Sequence, residues 1–173
     1  MQDHLEVAKT LQKIGRCKYE IEDYQTSLEH FEQARSIVLV DDREISKAIS
    51  AQLCRDLGLT SWKLRKMDEA LKYFDLSLGF HKKCNSTETA HTMCSLGDVY
   101  LETNSYNKAE DIYKKSLVMF RKNDIGIAEA YHKLGIVYWK SMNETKAMES
   151  FSQALKIKIR LLGTKTLSGR CLV

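Results

Sequence analysis

The chain's 173 residues suit one domain and leave little room for two independently cored ones. Apolar residues make up 43% and charged residues 29%, which excludes disorder as the main state; with no proline and only 8 glycines, proline-rich linkers, collagen-like repeats and turn-dense β folds lose their punctuation. The net charge of +4 is concentrated at one end, because residues 150–173 hold Lys156, Lys158, Arg160, Lys165 and Arg170 with no acid; residues 1–149 carry a net −1 and offer nucleic acid no general attraction.

Helical periodicity predicts a first helix over 3–20. Its opening, Met1-Gln2-Asp3-His4-Leu5-Glu6, carries acids and lacks the apolar core of a secretory signal, so secretion is not expected. A second helix over 24–39 contains most of the longest aliphatic run, Ile37 to Val40, far short of the roughly 20 apolar residues that span a bilayer. No membrane crossing is expected. Asp41-Asp42 supply capping oxygens for a helix over 43–64, which a helix over 67–83 follows. Ser86-Thr87-Glu88-Thr89 open the next, over 87–103, and helices over 106–122, 125–141 and 144–162 complete the series. Residues 163–173 read as a basic tail. Five cysteines, odd in number and irregular in spacing, fit a reducing compartment, and the expected location is cytoplasmic.

Self-similarity organises these helices. Gly15, Gly58, Gly97 and Gly135 each follow Ile14, Leu57, Leu96 or Leu134, at spacings of 43, 39 and 38 residues. Twelve residues on from each stand Ser27, Ala70, Ala109 and Ala147; sixteen on, Phe31, Phe74, Tyr113 and Phe151; nineteen on, Ala34, Ser77, Ser116 and Ala154. Offsets separated by four and three share one stripe of a helix, so each copy is a pair of antiparallel helices: a glycine on the first makes room for an aromatic ring on the second. The spacing encodes a packing rule.

Glycine in a first helix, then small, aromatic and small residues in a second, resembles the tetratricopeptide repeat family over about residues 8–162. The departures are the missing closing proline, Lys18 for the usual tyrosine, Ser27 for the usual alanine, and a period longer than 34 by about one helical turn. The longer period, with Ala154-Leu155-Lys156-Ile157-Lys158-Ile159-Arg160-Leu161-Leu162-Gly163, is similar to the kinesin light chain group. The resemblance implies an all-α, right-handed solenoid (a superhelix) of four antiparallel helix pairs at about 8–40, 46–84, 88–122 and 126–162, forming one domain over 1–162.

It also implies that the first helices line a concave wall, shown by offsets −6, −3, −2, +1, +4 and +5 from each glycine. Those offsets hold Lys9, Gln12, Lys13, Arg16, Tyr19 and Glu20 in the first copy and Gln52, Arg55, Asp56, Leu59, Trp62 and Lys63 in the second. The third copy holds His91, Cys94, Ser95, Asp98, Leu101 and Glu102, the fourth Glu129, His132, Lys133, Ile136, Trp139 and Lys140. Both tryptophans fall at one offset, matched by Tyr19 and Leu101. The candidate groove is therefore Lys13, Arg16, Tyr19, Arg55, Leu59, Trp62, His91, Asp98, Leu101, His132, Lys133, Ile136 and Trp139, an apolar floor between charged walls that suits a peptide. The competing reading has the rings packing against neighbouring repeats.

A chaperone-type carboxylate clamp is not expected, because Lys13, Asp56, Ser95 and Lys133 stand where that clamp's asparagines would be. His81, Cys84, His91 and Cys94 have a ligand count that suits tetrahedral zinc, but the repeat explains the fold without metal, and no cofactor is expected. There is no GxxxxGK[ST], GxSxG or HExxH, so no enzyme is expected. The expected function is a non-catalytic adaptor holding a partner's peptide. The alternative is an RNA binder using the basic tail and groove aromatics, which Asp56, Asp98, Glu102 and Glu129 disfavour. In the last helix Met148, Phe151, Leu155, Ile159 and Leu162 form a stripe expected to pack on the helix before it. Ile157 and Leu161 lie outside that stripe, an edge expected to contact the tail, a second copy or a longer array.

Overall fold

The computed structural model describes residues 2–38, 44–80, 87–121 and 124–168. Among them are eight α-helices and no strand: α1 (Gln2–Glu20), α2 (Tyr24–Val38), α3 (Glu44–Lys63), α4 (Met67–Phe80), α5 (Thr87–Glu102), α6 (Tyr106–Met119), α7 (Ile125–Lys140) and α8 (Glu144–Ser168). The all-α class and the four helical hairpins expected from the repeat are present. The expected capping pair Asp41-Asp42 lies outside the described residues.

The chain divides into two compact units, residues 1–85 and 86–173. In the first, α1 packs on α2, α2 on α3 and α3 on α4, while α1 also touches α3. The second repeats this plan with α5 to α8. The first core is built from Ala8, Leu28, Phe31, Ala34, Val38, Ile49, Leu53 and Leu57. Ala109, Tyr113, Leu134, Val137, Tyr138 and Ala147 form the main core of the second, and Ala90, Phe120 and Ala130 a smaller cluster.

The packing rule operates in every hairpin. A Cβ added to Gly15 would stand 2.6 Å from Phe31, one at Gly58 2.8 Å from Phe74, one at Gly97 2.7 Å from Tyr113, and one at Gly135 2.5 Å from Phe151. These distances are below van der Waals contact, so the glycine is what lets each ring approach the partner helix. Ser27, where the repeat usually has alanine, is fully buried and satisfies its hydroxyl by donating to the Gly15 carbonyl at 2.8 Å. Ser77 does the same to the Ala51 carbonyl at 2.7 Å.

Each hairpin turns on a non-glycine residue in the left-handed region, seven positions after its glycine: Glu22 (φ 62°), Arg65 (64°), Asn104 (57°) and Met142 (60°). Around each, two backbone bonds close the helix end, as in Met142 N–H to Trp139 C=O (3.1 Å) and Asn143 N–H to Tyr138 C=O (2.8 Å). That six-to-one bond is the Schellman pattern, which satisfies carbonyls the helix leaves open.

Three expectations are corrected. Helix α6 ends at Met119 rather than 122, because Phe120 turns to extended backbone (φ −68°, ψ 141°). There its ring meets His91 edge-on at 5.2 Å and lies over Gly126, where an added Cβ would collide with it. Helix α8 does not end at 162 but runs through Gly163 to Ser168, as a lone glycine without a proline or cap weakens a helix by only about 1 kcal/mol.

The α8 packing face is also reversed: Ala147, Ser150 and Ala154 are buried and Ile157 and Leu161 half-buried, whereas Met148 (71%), Leu155 (59%), Ile159 (60%) and Leu162 (64%) are exposed. Alanine and serine occupy the α7–α8 seam on either side of the ring that Gly135 admits, and the larger stripe stays outside. Phe151, half-buried on the shoulder, fills the space over Gly135.

Candidate functional site

In the first unit the face formed by α1 and α3 is organised around one carboxylate. Asp56 Oδ2 accepts from Gln12 Nε2 at 2.7 Å and from Arg16 Nε at 2.9 Å, with Arg16 Nη2 2.8 Å away. The Asp56 side chain is 7% exposed, so these donors replace its lost hydration. Arg55 Nη2 stands 3.9 Å from the other oxygen, while its Nε is buried without a hydrogen-bond partner. Arg16, Tyr19, Glu20, Phe31, Arg55, Asp56 and Leu59 line a recess of about 290 Å³.

Tyr19 meets Tyr24 edge-on at 5.3 Å. Burial pushes its phenol above the ordinary range, and Tyr24, Glu20 and Asp56 push the same way. Lys13 is exposed; Leu59 and Trp62 are half-buried, with Lys63 Nζ 6.0 Å from the indole. A shallower recess of about 600 Å³ lies on α4, lined by Lys72, Asp75, Leu76, Gly79 and Phe80. Its single acid, Asp75, has its carboxyl pushed up by burial, and no second titratable group but Lys72 lines that recess.

The second unit uses the same rung with the charges exchanged. Asp98 Oδ1 lies 2.7 Å from Lys133 Nζ and accepts from the Tyr113 hydroxyl at 2.7 Å. Burial and the Asp98 charge drive the Tyr113 phenol far above its ordinary range, so it stays a donor. In both units the residue one after a repeat glycine pairs with the residue two before the next: Arg16 with Asp56, Asp98 with Lys133. Sequence reasoning placed all four on one face and missed that they neutralise each other; the recurrence of the two offsets with opposite charge was the available signal.

His91 packs on Phe120, and His132 on Phe151 at 5.4 Å. Leu101 and Ile136 are half-buried, Leu101 against the unit's core. Trp139, at 64% exposed, is the largest apolar surface on the α7 face it shares with Glu129, His132 and Ile136. The structure thus joins Arg16, Tyr19, Arg55 and Leu59 around one recess, and Asp98 with Lys133.

Of the four soft metal-ligand candidates, His81 and Cys84 lie outside the described residues. His91 meets the Phe120 ring edge-on, and the Cys94 thiol donates to Ser116 Oγ at 3.4 Å. Burial pushes that thiol up to about 11. Among the described residues no three His, Cys, Asp or Glu side chains converge to hold a metal. No helix among them is long and apolar enough to cross a membrane.

Comparison with known proteins supplies sequence and fold relatives. Sequence profiles described as Tetratricopeptide repeat match residues 48–122 and 128–158. The chain is 31% identical over 94 residues to response regulator aspartate phosphatase E of Bacillus subtilis (strain 168), a match covering 54% of this chain and 24% of that protein. It thus spans about a quarter of that relative's length. Among solved structures, the apo form of RapI superposes with a TM-score of 0.83 at 20% identity, over 90% of this chain and 57% of that one. Aspartyl phosphate phosphatase F from Bacillus subtilis gives 0.83 at 17% identity, over 92% and 42%. BtubC from P. vanneervenii gives 0.82 at 17%, over 90% and 65%. At these identities the structural likeness is one of fold.

Proposed function

The chain belongs to the tetratricopeptide repeat family, and on that premise we propose that it is a non-catalytic adaptor holding a peptide segment of a partner protein on the face formed by its first helices. The observation that carries this reading is Trp139, an indole 64% exposed on α7, at the offset where α3 places Trp62. Exposed aromatics beside ion pairs are what a peptide interface uses: the rings supply desolvated area and the charged rungs set register. In the second unit Leu101 and Ile136 extend the apolar floor around Trp139, with His91 and His132 on its polar margin; in the first, Tyr19 and Leu59 are the matching floor beside Trp62, with Lys13 and Arg55 on its margin. Arg16 and Lys133 serve the face through their rungs with Asp56 and Asp98.

RNA is the second reading, and the rungs weigh against it. Two of the face's cations are already neutralised by carboxylates that would repel phosphate. The relative's name carries a phosphatase activity, but the match covers 24% of that protein and brings only the repeat stretch into this reading. A cytoplasmic location belongs to the same proposal, supported by the free thiols of Cys17, Cys54 and Cys94.

Selection of binders from a displayed peptide library, followed by fluorescence anisotropy against variants, tests the proposal. Trp139→Ala should weaken a selected peptide by about 2 kcal/mol, roughly thirty-fold, with unchanged helicity. Equal binding by the variant removes the face from the interaction.

A further inference from the structure

We propose that the outer face of α8 is a second docking surface, independent of the first-helix face, and that its occupant is an amphipathic helix of a partner protein with acidic residues on both flanks. Met148, Leu155 and Ile159 lie on one stripe at helical spacing and are 71%, 59% and 60% exposed; Leu162 continues it at 64%. From Met148 to Leu162 the stripe extends about 21 Å, the contact length of a helix of four turns. Beside it opens a recess of about 210 Å³ lined by Ile125, Lys158, Leu161 and Leu162, a seat for one apolar side chain of an incoming helix.

Charge selects the occupant. Exposed Lys156 borders the stripe on one side and Lys158 on the other, with Arg160 farther round; exposed Glu149 stands on the Lys156 flank only at the stripe's first turn, and from residue 150 on the sequence contains no acid. A helix laying leucine-like side chains on the stripe would place its own flanks against these cations, so glutamates or aspartates there gain and lysines lose. The recess favours a helix over an anionic lipid surface, which has no regularly placed side chain to fill it.

The test uses the full chain and two designed peptides of about 20 residues, the length of a six-turn helix. Both carry leucines at helical spacing; one has glutamate flanks and the other lysine flanks, and binding is read by fluorescence anisotropy. The glutamate peptide should bind, and less tightly as salt rises. Leu155→Asp with Ile159→Asp should weaken it at least ten-fold. Lys156→Glu with Lys158→Glu should weaken it and admit the lysine peptide. All substituted positions are exposed, so circular dichroism should stay unchanged. Trp139→Ala should leave this binding intact, which separates the surface from the groove. Failure to bind either peptide, equal binding of both, capture of phosphatidylserine vesicles instead, or a dimer that Leu155→Asp with Ile159→Asp dissolves would each overturn the proposal.

Discussion

At Gly97 a Cβ would stand 2.7 Å from the Tyr113 ring, which is fully buried and tied through its hydroxyl to Asp98. At Gly135 the Cβ would stand 2.5 Å from Phe151, a half-buried ring with solvent on one side. The shorter contact is thus the more easily relieved, because what decides the cost is whether the neighbour can move. Gly97→Ala should cost about 1–3 kcal/mol in thermal or urea melts. Gly135→Ala should cost less than 1 kcal/mol, since alanine's better helix propensity offsets a small ring shift. Equal losses at the two sites would show that ring mobility is irrelevant. These glycines were legible in the sequence because the ring that fills each space recurs sixteen positions later. Gly126 was not, since its partner Phe120 precedes it and lies outside the repeat pattern.

At the scale of the helical hairpin, the left-handed turn residue is the weak point. Met142 is 89% exposed at φ 60°, so its side chain contributes little packing while its backbone bears the left-handed penalty. Met142→Gly should stabilise the second unit by roughly 0.5–1 kcal/mol, the relief of strain less the extra freedom glycine gives the unfolded chain. A lower melting temperature for the variant would contradict this. Asn104, at the same position in the preceding hairpin, is a residue that tolerates this region, and Asn104→Gly should gain less. Helix existence and spacing were readable from period, but the ends of α6 and α8 were not. Phe120 leaves its helix for a cavity that other helices make, and no sequence cap marks the stop.

At the scale of the molecule, each of the two units holds its own core and repeats one plan, with an acid–base rung linking neighbouring first helices. Arrays of this kind draw stability from each repeat and its nearest neighbours, so a unit of two hairpins should stand alone, though marginally. Residues 1–85 and 86–173 expressed separately should each show helical circular dichroism and a cooperative melt below that of the full chain. A fragment without a cooperative transition would mean that its core depends on the other unit.

Four helix pairs, the glycine–aromatic register and the matching offsets of Arg16 and Asp56 in the first unit and of Asp98 and Lys133 in the second followed from sequence, because a 3.6-residue period states which positions share a side and a repeated offset states which role recurs. Tertiary structure alone decided which neighbours those positions meet. The stripe of Met148, Leu155, Ile159 and Leu162 and the stripe of Ala147, Ser150 and Ala154 are both continuous in the sequence, and the first has the stronger hydrophobicity. The second is nevertheless the buried one: its small residues let α8 approach α7, and the one large side chain of that face, Phe151, takes the space that Gly135 leaves, so packing at a crossing favours fit over apolar content. The rungs have the same origin, as Arg16 and Asp56 lie 40 residues apart, and only the stacking of one repeat on the next brings guanidinium to carboxylate.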